Sequence, residues 1–208
     1  MDPAFLITAF ATLFVIIDPI GLTPIYIALT QGMETAARRA IALRACVISF
    51  VLLTLFAFFG EAVLGFIGIT MPAFRIAGGA LLFLTALDML FERRTKRRED
   101  QAEDIEDPDP SVFPIAIPLI AGPGAIATMI LLAGQAEGAA GMAAVLGVMG
   151  AVLVLVMGLF LLAAPIERAL GRIGINVVTR LLGMLLAALS VQFILDGLRA
   201  FGIGGSAP

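Results

Sequence analysis

Length, composition and charge exclude a water-soluble enzyme. The 208 residues are 61% hydrophobic and only 14% charged, whereas soluble domains carry roughly 45–50% apolar and about 25% charged residues. Because the mean hydropathy is +1.08, the bilayer is the natural solvent for this chain. The absence of His and the single Cys46 exclude histidine catalysis, histidine metal sites and an internal disulfide. A net charge of −3 gives no indication of nucleic acid as a partner.

Six apolar stretches follow one another along the chain, and each approaches the roughly 20 residues that a transmembrane helix needs. We predict an all-α integral membrane protein with six transmembrane helices, and neither a cofactor nor a metal site. The first and fourth helices are interrupted, at 18–24 and at 122–124. The six spans are predicted at about 5–30, 40–60, 72–91, 112–134, 142–164 and 178–198.

Basic residues predict the orientation of the helices. All of them except Arg75 and Arg199 lie in or beside the first, third and fifth connections, which the positive-inside rule places in the cytoplasm. Both termini are therefore expected outside, in a multi-pass protein of the inner (plasma) membrane. The hydrophilic block 92–111 is expected to be a solvated cytoplasmic linker; a regulatory role or a contact with anionic lipid is the alternative.

The two halves on either side of this linker, 1–91 and 112–208, resemble one another. The recurring features are E-x-x-L-G-x-I-G-I at 61–69 and 167–175, R-x-x-G at 75–78 and 180–183, and a proline at 19 and 123. With three spans in each half, the second copy crosses the membrane in the opposite sense. We therefore predict two inverted-topology repeats of three helices, an architecture common among secondary transporters.

The first interruption places a carboxylate inside the membrane. Asp18 has fifteen uncharged residues on each side, so it is predicted near the bilayer midplane, where a lone charge is expensive. Pro19 and Pro24 break the helix, and Gly21 allows the backbone to bend. Thr23 followed by Pro24 predicts a fresh helix start, with Thr23 as the N-cap.

The second interruption is the matched element of the other half. Gly122, Pro123 and Gly124 break the fourth span, Pro123 starts a second half-helix, and Thr128 lies one turn further on. Two half-helix N-termini meeting near the midplane favour an anionic group such as a carboxylate. Asp18 would hold an ammonium group or accept a proton, so a small zwitterion fits between the breaks at 18–24 and 122–124. The predicted substrate- or ion-binding residues are Asp18, Pro19, Gly21, Thr23, Pro24, Gly122, Pro123, Gly124 and Thr128. The alternative is that both kinks only shape packing, with Asp18 as a simple N-cap.

Arg75 and Arg180 occupy matched positions early in the third span of each half. One interpretation makes them gating charges that pair with Asp18 or with carbonyls at the breaks. The other is that they extend to the membrane interface. Asp88 and Asp196 lie close to the ends of spans three and six, which indicates interfacial caps or ion-pair partners.

Four stretches resemble the MarC family of bacterial and archaeal inner-membrane proteins. They are FVIIDPIGLTPIY (14–26), FRIAGGALLFLTALDML (74–90), PLIAGPGAIAT (118–128) and RLLGMLLAALSVQFILDGL (180–198). The resemblance covers essentially the whole chain, and some members of the family are described as proton-coupled transporters of glycine, alanine and similar amino acids. The residues that match the family's signature elements are Asp18, Pro19, Gly21, Pro24, Gly122, Pro123 and Gly124.

Residues and resemblance together predict a secondary transporter of small neutral amino acids, coupled to protons and working by alternating access about a midplane site. An exporter or channel for another small solute is the alternative. We do not expect an enzyme, since an intramembrane two-carboxylate protease needs two Asp at the same depth, and Asp88 and Asp196 are predicted near the membrane surface.

Overall fold

The computed structural model describes residues 3–91 and 109–202, so the predicted linker lies outside the described residues except for 109–111. Helices make up most of these two ranges, and neither range contains a strand. In chain order the elements are α1 (Pro3–Ile17), α2 (Pro19–Leu29), α3 (Thr35–Ile67), α4 (Met71–Leu90), the irregular segment Ser111–Ile120, α5 (Pro123–Ala133), α6 (Gly138–Leu161) and α7 (Ala163–Ala200).

Five stretches of the described chain are long and apolar enough to cross a membrane. They are Pro3–Leu29, Thr35–Ile67, Met71–Leu90, Gly138–Leu161 and Ile173–Ala200. Ser111–Ile120 and α5, which bend by 58° at their junction, pass the same test together and make a sixth candidate span, either a broken helix or a re-entrant loop. The predicted all-α integral membrane fold is confirmed, including a break in the fourth span.

Several helix boundaries differ from the prediction. α3 extends beyond the expected 40–60 at both ends, because its arginine-bearing start consists of good helix formers and its end is set by Gly68 in the left-handed region (φ 82°). α6 ends at Leu161 rather than near 164, because Pro165 lies in the first turn of α7, where proline is tolerated. α7 begins well before 178 and is interrupted at Gly171 (φ 61°).

The interrupted spans form the centre of the molecule. In α5, every residue from Ala127 to Ala133 is buried, and in the first span burial is continuous from Val15 to Pro19. By contrast, α3 and α7 expose large apolar side chains such as Val51 and Leu185, 52% and 58% exposed, as helices facing lipid do. The buried parts of the interrupted spans therefore lie further inside the fold than the apolar outer faces of α3 and α7.

α4 and α7 approach each other closely enough for contact with the partner's backbone at Gly79, Gly183 and Gly197. A Cβ on Gly79 would lie 2.7 Å from the Ser190 carbonyl oxygen, and one on Gly183 would lie 3.2 Å from the Ala86 carbonyl oxygen. Gly79 of α4 and Gly183 of α7 are 104 positions apart, and so are the carbonyl residues that they meet, Ala86 of α4 and Ser190 of α7. The contact of Gly183 is therefore the contact of Gly79 with the two helices exchanged. Gly78, which the sequence motif pairs with Gly183, instead faces α5.

Candidate functional site

The first break lies at Asp18, between α1 and α2. Asp18 is 1% exposed, and its backbone adopts the left-handed conformation (φ 55°, ψ 63°). Its carboxylate accepts a hydrogen bond of 3.1 Å from the Gly21 amide, so it caps the N-terminus of α2, where helix amides favour negative charge. Gly21 is needed there because a Cβ would overlap the Asp18 carboxylate.

The predicted fresh helix start at Thr23–Pro24 is wrong. α2 begins at Pro19, and both residues lie inside it. The Thr23 hydroxyl donates to the Pro19 carbonyl oxygen at 3.1 Å, so it does not act as an N-cap. Pro19 takes the first helical position, where its fixed φ and missing N–H carry no penalty. Pro24 only removes the amide that the Ile20 carbonyl would otherwise accept from.

The second break lies at Gly122, between the irregular segment and α5. Gly122 is the N-cap and Pro123 begins the helix, but no side chain caps this N-terminus. The Thr128 hydroxyl donates to the Gly124 carbonyl oxygen at 2.9 Å. Pro123 is exposed, whereas Gly122 and Gly124 are half-buried. The amides of the first turn are therefore not occupied by a side chain of the N-cap.

The irregular segment before this break is not a continuous α-helix. Phe113 and Ile117 have extended backbone angles (φ −127° and −126°), and each precedes a proline through a cis peptide bond. The Ala121 amide donates to the Ala116 carbonyl oxygen at 2.8 Å. The fourth span thus enters the break through a loosely wound backbone, which the sequence analysis did not predict.

The two breaks lie in adjacent parts of the core. A Cβ on Gly124 would lie 3.4 Å from a methyl group of Ile16, two residues before Asp18. The start of α5 therefore packs against the end of α1, beside the first break. The contact joins Gly124 to Ile16 of α1, and the predicted meeting of the two helix N-termini at a shared site stays a prediction.

The two arginines are placed differently from one another. Arg75 is half-buried on α4, and its buried Nε has no hydrogen-bond partner within the part of the chain that the structure describes. Arg180 is exposed on α7. Their role as gating charges stays a prediction. Asp196, near the end of α7, accepts a hydrogen bond from Gln192 at 2.8 Å and lies 3.7 Å from Arg199, the ion-pair role expected of it.

An ion pair connects α3 to the residues just before the irregular segment. Arg44 of α3 pairs with Asp109, and the Ser111 amide donates to the same carboxylate at 3.1 Å. Hydrogen bonding by Ser111 and the charge of Arg44 hold the pKa of Asp109 below its usual range. The sequence analysis missed this pair, since nothing local relates residues 65 positions apart.

No group of three His, Cys, Asp or Glu side chains within residues 3–91 and 109–202 is arranged to hold a metal ion. The chemistry available at the two breaks is therefore that of backbone amides, carbonyls and one carboxylate. Such groups bind and orient a small polar molecule.

Comparison with known proteins identifies the family. The model of the MarC family of integral membrane proteins matches residues 4–201. The chain belongs to the MarC family. A UPF0056 membrane protein of Methanocaldococcus jannaschii is 44% identical over 199 residues, covering 93% of this chain and 86% of the relative. The UPF0056 membrane protein YvbG of Bacillus subtilis is 37% identical, covering 94% and 95%. No solved structure matches the chain.

This membership confirms the resemblance and the multi-pass membrane location. As a MarC family protein, the chain is in contact with the lipid bilayer along its apolar helices. The names of the relatives specify a membrane protein and no substrate. A substrate therefore has to be argued from the two breaks.

Proposed function

We propose that this protein is a secondary transporter of small neutral amino acids of the glycine and alanine type, coupled to protons. One observation carries the proposal. Each interrupted span continues as an eleven-residue helix that begins at a proline, and the N-terminus of α5 packs beside the break that contains Asp18. Discontinuous helices meeting in the core are the usual substrate sites of such transporters.

The chemistry of the two N-termini fits a zwitterion. At α2 the partial positive charge is already met by the Asp18 carboxylate. At α5 no N-cap side chain is present, so its amides are available to a substrate carboxylate. A substrate ammonium group would then lie toward Asp18. An α-amino acid carries its carboxylate and its ammonium group on one carbon, so a single small molecule would contact both the α5 amides and Asp18.

Small size is favoured by the packing around the breaks. Space beside Gly21 is taken by the Asp18 carboxylate, and space beside Gly124 is bounded by Ile16 and Leu82, each 3.4 Å from a Cβ built there. A substrate seated between the breaks therefore meets apolar walls close to its α-carbon. Glycine and alanine fit such walls better than amino acids with large or charged side chains.

Alternating access would come from the inverted repeat that the sequence predicts. The exchange-symmetric contacts of Gly79 and Gly183, related by 104 residues, support this repeat. In such transporters one repeat rocks against the other around a fixed central site. Asp18 would carry the coupling proton, because a protonated carboxyl crosses a low-dielectric region far more cheaply than an ionised one.

Thermal unfolding of the purified protein with a panel of amino acids, at two pH values, tests the substrate. A ligand that binds only the folded state raises Tm by mass action, as RT ln(1 + [L]/Kd). We expect glycine and alanine to raise Tm and large or charged amino acids to leave it unchanged. If no amino acid shifts the Tm of the folded protein, the substrate assignment is wrong.

Counterflow in proteoliposomes separates the transporter from a channel or an exporter of another solute. A carrier exchanges labelled glycine against unlabelled glycine on the opposite side, whereas a channel does not accumulate label. Counterflow of glycine with proton movement would support the proposal. We propose no enzymatic activity. Asp88 and Asp196 lie near the C-terminal ends of α4 and α7, whereas a two-carboxylate protease needs its pair of Asp side chains within the membrane.

A further inference from the structure

A cavity of about 100 Å³ opens between the start of α3 and the connection from α6 to α7. Its walls include Tyr26, Arg38, Arg39, Phe160 and Leu161, and it is separate from both breaks. Tyr26 follows Asp18 by eight residues, about 12 Å along a helix at about 1.5 Å per residue. Measured from Asp18 at the predicted midplane, the cavity lies near the edge of a hydrocarbon core roughly 30 Å thick.

The guanidinium of Arg38 is held at the wall of this cavity. The Tyr26 ring stacks on Phe160 with 4.3 Å between centroids and 3° between planes. The Tyr26 hydroxyl donates to the Arg38 carbonyl oxygen at 2.8 Å, and the Arg38 guanidinium carbon lies 5.7 Å from the ring centroid. This cation–π contact fixes a side chain that otherwise has many rotamers, so less entropy is lost when it binds a ligand.

The charge at the cavity is not balanced by the described residues. Arg44 and Arg199 have carboxylate partners, but residues 3–91 and 109–202 supply none to Arg38 or Arg39. Glu34, just before α3, is exposed and does not line the cavity. Two guanidinium groups around one small cavity match an anion with several acceptor oxygens, and guanidinium pairs with phosphate through parallel hydrogen bonds.

The cavity is continuous with the lipid-facing surface. Leu161, part of its wall, is 48% exposed. Leu43 and Val47 follow Arg39 at intervals of four residues on one face of α3, and they are 55% and 52% exposed. A phosphate in the cavity would therefore sit above an apolar surface along which acyl chains can lie. This continuity favours a lipid over a soluble anion.

We propose that this cavity binds the phosphate group of an anionic lipid of the cytoplasmic leaflet, with Arg38 and Arg39 contacting its oxygens. Basic pockets between transmembrane helices on the cytoplasmic side recognise such head groups. The site does not depend on the proposed transport function. The proposed ligand binds near the C-terminal end of α2, whereas Asp18 lies at its N-terminus.

The test uses the full-length protein, purified in detergent and delipidated. Phosphatidylglycerol, phosphatidylcholine and inorganic phosphate are titrated separately, with Tm and lipid retention in native mass spectrometry as readouts. We expect phosphatidylglycerol to raise Tm well above the other two. Arg39→Gln should weaken phosphatidylglycerol binding about fivefold, since one basic residue near a membrane surface contributes about 1 kcal/mol. Arg39 is exposed, so this replacement leaves the fold intact.

Arg168→Gln is the matched control, because it removes the same charge from an exposed position near the start of α7, outside the cavity. It should bind phosphatidylglycerol as the wild type does. Arg38→Gln should weaken binding at least as much as Arg39→Gln. Equal stabilisation by phosphatidylcholine, or equal losses in Arg39→Gln and Arg168→Gln, overturns the proposal. An equal Tm rise with inorganic phosphate alone rejects the lipid in favour of a soluble anion.

Discussion

The two interrupted spans have the same backbone plan and carry different side chains. Each continues as an eleven-residue helix with a proline at its first position, Pro19 or Pro123. The residue before that proline is Asp18 in the first span and Gly122 in the second. Only the first N-terminus therefore has a carboxylate and a side-chain cap.

The two breaks also differ in how deeply they are buried. Asp18 and Pro19 are buried, whereas Pro123 is exposed and Gly122 is half-buried. A helix N-terminus that already holds a carboxylate has little affinity for a second anion, while an uncapped and accessible one keeps it. The comparison teaches that the same backbone plan can carry two chemically distinct helix N-termini. The predictions below change residues at one break or the other and compare each with a matched variant.

The largest effect is expected at Asp18. Asn at this position keeps an oxygen that accepts from the Gly21 amide and tolerates the left-handed backbone, so Tm should change little. Proton-dependent uptake in proteoliposomes should be abolished, because the amide cannot take up a proton. Asp18→Ala should additionally lose the cap, about 1 kcal/mol of unfolding free energy. Full pH-dependent uptake by Asp18→Asn would exclude Asp18 as the coupling site.

The next largest effect is expected at Gly122. A Cβ there would lie 2.5 Å from the backbone oxygen of Pro118, which no side-chain rotation can relieve. Gly122→Ala should lower the unfolding free energy by about 1–3 kcal/mol, as overpacking does, and should distort the start of α5. Gly147→Ala is the control: nothing lies within 4 Å of its Cβ, and the change in mid-helix should be neutral or stabilising. Similar Tm values for the two variants would contradict the close approach at the second break.

The location of both breaks could be predicted from the sequence, but the residue that begins α2 could not. Asp18–Pro19 and Thr23–Pro24 both have an N-cap residue followed by proline, and local preference allows either. Starting at Pro19 leaves a longer helix with a cap bond from Gly21. Pro24 then removes a single hydrogen bond, which a helix within a membrane bundle tolerates.

The cavity at Tyr26 could not be predicted at all. Its walls join Tyr26 and Phe160, which are brought together only by the packing of α2 against α6. Hydrophobic periodicity and motif spacing carry no information about such a contact. The basic residues at 38 and 39 were used for orientation alone, since a sequence does not show which basic side chains line a common cavity.

A smaller effect is expected from alanine at the glycines that follow each break. In Gly21→Ala the new methyl group overlaps the Asp18 carboxylate, so the cap bond should be lost, at about 1 kcal/mol. Proton-dependent uptake should shift in its pH dependence as the carboxylate moves. In Gly124→Ala the methyl group meets Ile16 and Leu82 at 3.4 Å, an ordinary contact. Equal Tm changes in the two variants would show that Asp18 does not lie over the first turn of α2.

The smallest effect is expected from replacing the two threonine hydroxyls. Thr23 and Thr128 both donate to a carbonyl oxygen four residues earlier, at 3.1 Å and 2.9 Å, and both side chains are fully buried. Such internal bonds contribute little to helix stability, so Thr23→Val and Thr128→Val should each change Tm only slightly. Because each hydroxyl already donates its hydrogen and is buried in this conformation, glycine affinity should change less than about twofold, well under the tenfold that about 1.4 kcal/mol represents. A selective loss of glycine binding in Thr128→Val would show that α5 rearranges on binding and frees its hydroxyl. The same loss in Thr23→Val would instead contradict the assignment of the substrate carboxylate to α5.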